Sequence, residues 1–150
     1  MLRAKLTADM KDAMRAGEKA KLGTIRLMNS AIKSADIEAR PSGKDAISDA
    51  DILQVFAKMI KQRRDSFEQF TNGGRPELAA AEQAEIGVIE SYMPKQMSEA
   101  EVKAVASALI GELGAVGMKD MGRVIAAMKE KYAGAMDFGK ASGIVKDLLK

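Results

Sequence analysis

The chain of 150 residues has no cysteine, no histidine and no tryptophan. Without Cys and His it can form no thiolate nucleophile, no Ser-His-Asp triad and no Cys-His dyad. Zinc and iron–sulfur centres lose their usual ligands, so neither a metal nor a cofactor is expected. No disulfide can form, which suits a reducing compartment, and the expected location is the cytoplasm. Aromatic residues are limited to four Phe and two Tyr, which weighs against base stacking as a means of holding RNA. No segment reaches the roughly 18 uninterrupted apolar residues of a membrane span. The start, Met1-Leu2-Arg3-Ala4-Lys5-Leu6, lacks the apolar run of a signal peptide, and no membrane partner is expected.

What remains is typical of a globular protein. The hydrophobic fraction is 47%, and eleven methionines stand in for aromatics as adaptable core filler. Net charge is only +3, too small to mark a nucleic-acid binder by itself. Its distribution is uneven. Residues 1–33 hold eight Lys/Arg against three Asp/Glu, a balance of +5. Residues 34–92 hold seven against eleven, and residues 93–150 nine against seven. Basic surface is therefore expected at the two ends of the chain.

Apolar residues recur at helical spacing almost throughout, with no period-two strand. Leu2, Leu6, Met10, Ala13 and Met14 mark a first helix closed by Gly17, and Leu22, Ile25, Met28, Ile32 and Ala35 a second that Pro41 cannot extend. Ser48 caps a third, with Ile52, Phe56, Met59, Ile60, Phe67 and Phe70 as its buried stripe. Pro76 suits the first turn of a fourth, on Leu78, Ile86, Ile89 and Met93. Pro94 stops it. Beyond lie three helices, opened by Ser98 (in a capping box with Glu101), by Asp120 and by Asp137. The expectation is an all-α protein: an N-terminal bundle of four helices in residues 1–93 and a three-helix unit in residues 94–150.

Several groups could carry chemistry. Ser30 and Lys33 lie one helical turn apart, as in Ser-Lys acylases, but the companion Ser-Asp-Asn and Lys-Thr-Gly motifs are absent. Arg26, Asn29, Ser30, Lys33 and Arg40 line a helix face opposite Ile25, Met28 and Ile32, a stripe able to hold a phosphate backbone or an acidic partner. Arg63 falls inside an apolar stripe and needs a carboxylate, which Glu82 or Glu85 could supply as an internal ion pair. In the last third, Lys119 and Arg123 flank a helix N-terminus, a natural phosphate site. Asp120 opposes this by capping the same amides.

One arrangement is more specific. Tyr92-Met93-Pro94, Lys119-Asp120-Met121-Gly122-Arg123 and Asp137-Phe138-Gly139-Lys140 follow in order, preceded by Arg26-Leu27, Arg63, Phe70, Gly74-Arg75-Pro76-Glu77-Leu78 and the Glu82/Glu85 pair. This pattern resembles the YqeY proteins, and the helical and tail region of the GatB subunit of glutamine-dependent aspartyl/glutamyl-tRNA amidotransferase. Met93 stands where the family usually has Leu, a volume-conserving exchange. The resemblance implies a link to a carbon–nitrogen ligase system acting on mischarged tRNA. It implies no catalytic residue here, because the kinase and amidase modules of that system are missing. What it implies instead is a non-catalytic, translation-associated module. Lys119, Arg123 and Lys140 would contact tRNA, with Arg26 and Lys33 as a second patch. The alternative is an adaptor docking on an aminoacyl-tRNA synthetase or an amidotransferase-related protein without touching RNA.

Overall fold

The computed structural model describes all 150 residues. It contains seven α-helices and no strand: α1 Leu2–Ala16, α2 Lys19–Ala39, α3 Asp49–Asn72, α4 Pro76–Glu90, α5 Glu99–Leu113, α6 Met121–Tyr132 and α7 Phe138–Leu149. Short 3-10 turns at Arg40–Ser42 and Met118–Asp120 precede α3 and α6. The chain forms two compact units, Met1–Met93 and Pro94–Lys150. No helix is long and apolar enough to cross a membrane.

The helix starts follow the polar residues that precede them. The Ser48 hydroxyl accepts the Asp51 N–H at 3.2 Å while the Asp51 carboxylate accepts the Ser48 N–H at 3.4 Å, so two otherwise orphaned donors are satisfied reciprocally. Ser98 accepts the Glu101 N–H at 3.2 Å. Asp137 accepts from Gly139 and Lys140 at 2.8 and 3.4 Å. Gly17 and Gly114 close α1 and α5 at φ of +71° and +63°, where a side chain would be strained.

In the first unit, Leu6, Ile25, Met28, Ile32, Ile52, Phe56, Ile60, Ile86 and Ile89 form the core with Met59 and Tyr92. Phe56 and Tyr92 meet edge to face at 6.3 Å. The Tyr92 hydroxyl donates to Asp9, and Lys5 Nζ lies 4.9 Å from the Tyr92 ring centre, joining α1 to the segment after α4. Burial, reinforced by the Asp9 carboxylate, keeps the phenol protonated well above its ordinary range. The apolar stripe of α3 thins toward its end, where Phe67 and Phe70 are only half-buried, and on α4 Leu78 is 37% exposed. At 24 residues, α3 extends past its last core residue, Ile60, and α4 is its main packing partner. Helix α4 ends at Glu90, before Pro94, with the Ser91 hydroxyl donating to the Val88 carbonyl at 2.6 Å.

A polar clamp fixes α1, α2 and the segment before α3. Arg3 donates to both oxygens of Asp36 at 2.9 and 2.7 Å, and the Ile47 N–H donates to the same carboxylate at 2.8 Å. The Arg3 hydrogen bonds first, and then the Ile47 amide, hold Asp36 below the ordinary carboxylate range.

The second unit has its own core of Val102, Ala106, Leu109, Val124, Met128, Met136, Ala141, Val145 and Leu149. Gln96 Nε2 and the Met97 N–H bond to the carbonyls of Gly134 and Ala135 at 2.6 and 2.8 Å. These bonds pin the segment before α5 to the loop between α6 and α7.

Asp36 has a lowered folded-state pKa, so its contribution is present above the unfolded value of about 4 and is lost as pH falls through the folded one. Asp36→Asn is expected to melt well below the parent at pH 7. Thermal melts should show that gap closing as pH drops below about 4; a gap independent of pH would remove the clamp from the acid response.

Candidate nucleic-acid interface

The loop after α5 shapes the first basic site. The Asp120 carboxylate does not cap α6. It turns back to accept the Val116 N–H at 3.0 Å and the Arg123 guanidinium at 3.2 Å. The expectation that Asp120 takes the free amides is therefore corrected: a tight loop placed a nearer donor, the Val116 amide, behind it. That backbone bond first, and then the Arg123 charge, hold Asp120 below the ordinary carboxylate range. Two consequences follow. The first amides of α6 carry no side-chain cap; the Met121 N–H donates instead to the Met118 carbonyl of the 3-10 turn that leads into the helix. Arg123, 52% exposed, is partly neutralised by Asp120, whereas exposed Lys119 makes no ion pair. Beside them Val116 and Met118 project as an exposed apolar pair on either side of Gly117.

Lys140 is not brought together with Lys119 and Arg123. It stands in the first turn of α7, whose amides Asp137 occupies. Only residues 133–137 separate α6 from α7, and Lys129, near the end of α6, places Nζ 5.9 Å from the Phe138 ring centre. Lys140 thus follows the turn that joins the end of α6 to α7. Lys119 and Arg123 stand at the start of α6, with Arg123 about 9 Å of helix rise before Lys129. The result is two small cationic sites on the second unit.

In the first unit, Arg26 and Lys33 are exposed on the outer face of α2 and take no part in an ion pair. Ser30 is exposed with them but its hydroxyl is not hydrogen-bonded to Lys33, so nothing prepares it as a nucleophile. Arg63 donates from Nε to Glu85 at 2.8 Å and from an η nitrogen to the Met59 carbonyl at 3.2 Å. Glu82, the other carboxylate offered for it, makes no ion pair and is half-buried. A second pair tying α3 to α4, Arg64 with Glu90 at 2.8 Å, has no signal in the sequence, because exposed Arg64 lies outside the apolar stripe that marks Arg63.

Comparison with known proteins settles the family. The model of the YqeY-like proteins matches residues 3–149. The chain belongs to the YqeY-like family. Similar proteins include Altered inheritance of mitochondria protein 41, mitochondrial, of Lachancea thermotolerans. It is 38% identical over 112 residues, which is 73% of this chain and 58% of that protein. The proteins of the same name from Eremothecium gossypii and Vanderwaltozyma polyspora are 36% and 31% identical, over 73% and 77% of this chain and 60% and 64% of theirs. This YqeY-like chain thus spans less than two thirds of the curated relatives it matches. Their names overturn the expected cytoplasmic location, since each is called mitochondrial. The physical reason for the error is plain: lack of cysteine separates reducing from oxidising surroundings at best, and does not tell one reducing compartment from another.

Arg63 is 15% and Glu85 32% exposed at their side chains, so neither is fully solvated when unpaired. In the YqeY-like chain Glu85→Ala is expected to cost about 1–3 kcal/mol by leaving a half-buried cation without its acceptor. Adding Arg63→Met should recover part of that loss, with a coupling of about 0.5–3 kcal/mol in denaturant unfolding. Strict additivity would mean that the pair does not hold α3 to α4.

Proposed function

We propose that this chain is a non-catalytic, translation-associated binding module whose second unit contacts the backbone of tRNA. The supporting observation is the placement of unpaired or half-paired cations at both ends of the α6–α7 pair. Lys119 and Arg123 stand beside an α6 N-terminus free of side-chain caps, and Lys140 stands at the start of α7. Separate cationic points along one helix pair suit a ladder of phosphates better than a single small anion. The lack of Trp and the burial of Tyr92 leave little aromatic surface for stacking, so recognition rests on shape and backbone charge. The resemblance to the amidotransferase tail supplies tRNA as the specific nucleic acid. The names of the relatives point to mitochondria as the compartment. Carbon–nitrogen ligase chemistry would then belong to a partner, because no nucleophile in this chain is activated by a neighbouring base.

With few contacts, binding is expected in the ~10⁻⁴ to 10⁻⁶ M range of non-specific association. The test is tRNA binding at several salt concentrations, comparing the parent with Lys119→Ala/Arg123→Ala/Lys140→Ala. Each lost contact lowers the salt slope by about 0.7–0.9, and Arg123 contributes less because Asp120 already balances it, so a fall of about two units is expected. All three side chains are exposed, so the fold is retained. An unchanged slope, or no binding at low salt, contradicts the assignment and puts the protein-adaptor reading first.

A further inference from the structure

Helix α2 carries a second periodicity, independent of the one that fills the core. Gly23, Leu27, Ser30, Ser34 and Ile37 succeed one another at alternating steps of four and three residues, the spacing of a seam between two helices. They lie on the side of α2 turned away from the buried Thr24, Ile25, Met28 and Ile32. All five are exposed, Leu27 at 46% and Ile37 at 49%. Along one edge of this seam run Lys19, Arg26, Lys33 and Arg40, each seven residues after the last. All four are exposed and none forms an ion pair. The opposite edge holds Ala20, Ala31 and Glu38, with a single charge.

Both features speak to the occupant. A phosphate backbone would use the cations but strand Leu27 and Ile37 against a highly charged surface, at a cost in desolvated polar groups. A second copy of α2 fits poorly. Antiparallel pairing sets basic edge against basic edge, and parallel pairing offers only Glu38 to four cations. An acidic amphipathic helix satisfies both. Its larger apolar side chains fill the shallow places left by Gly23, Ser30 and Ser34, and its carboxylates meet cations that have no partner within the chain. We propose that the outer face of α2 docks an acidic amphipathic helix of a partner protein, with carboxylates at seven-residue spacing opposite Arg26, Lys33 and Arg40. This goes beyond the tRNA reading and does not rest on it.

The test uses the full chain and two labelled three-heptad peptides with Leu at the seam positions, one with Glu and one with Lys on the flanks, kept below their own self-association. The Glu peptide is expected to bind at least about tenfold more tightly than the Lys peptide. Arg26→Glu/Lys33→Glu should invert that preference, an outcome that misfolding cannot produce. Leu27→Asp/Ile37→Asp should abolish binding of both peptides while the circular dichroism and melting of the chain stay unchanged. Binding of neither peptide, equal binding of both, or a preference unaffected by charge reversal overturns the proposal. So does self-association that depends on Leu27 and Ile37, which gives the face to a second copy, or displacement of the Glu peptide by tRNA, which gives it to RNA. The salt-slope comparison alters only residues of the second unit, so each reading can fail alone.

Discussion

The carboxylate of Asp36 is the constraint on which the first unit turns. It receives two hydrogen bonds from Arg3 on α1 and one from the Ile47 amide just before α3. A helix with an apolar stripe can be rotated about its axis at modest cost until a directional bond stops it. Asp36 is that stop for α2. In that orientation Ile25, Met28 and Ile32 face inward, and Arg26, Leu27, Ser30, Lys33 and Ile37 face outward. Burial of Ile25, Met28 and Ile32 selects the inner face of α2, and the bonds to Asp36 add the directionality that hydrophobic burial lacks.

A core with so few aromatics must gain its stability elsewhere. The single close aromatic pair, Phe56 with Tyr92, is wedged among isoleucines and methionines. Tyr92 does double duty, since its ring packs in the core while its hydroxyl reaches Asp9. The second unit has no aromatic residue in its fully buried core and relies on Val124, Met128 and Val145. Capped helix starts and glycine-closed ends satisfy groups that small cores leave costly.

Much of the architecture was legible in the sequence because its signals are local. Ser48, Ser98 and Asp137 each announce a helix and each is found capping one. The stripe positions Ile52, Phe56, Met59 and Ile60 are buried as their spacing requires. Where tertiary geometry decides, local signals fail. Phe67 and Phe70 continue the period of α3, yet they lie beyond its core residues and are only half-buried. Asp120 has the residue type and place of a cap, but the loop brings the Val116 amide closer. Arg3 with Asp36, and Tyr92 with Asp9, join positions too far apart in sequence for any pattern to pair them. Lys119, Arg123 and Lys140 share a short stretch of chain, yet Lys119 and Arg123 flank the start of α6 while Lys140 follows the turn after its end. The α2 seam was half visible, since its basic edge was evident but the exposure of Leu27 and Ile37 required the rotation of α2 to be known.

The two proposals divide the surface between two kinds of partner, nucleic acid at the ends of the α6–α7 pair and a protein helix along α2. Neither role needs an activated side chain, and both use cations that the fold leaves outward. The most direct measurement of this division is amide NMR of the isotope-labelled full chain titrated with tRNA. The account predicts shifts confined to the backbone around Gly117–Arg123 and Asp137–Lys140, with Gly23–Ile37 unmoved. Shifts centred on α2, or none anywhere at low salt, would contradict it.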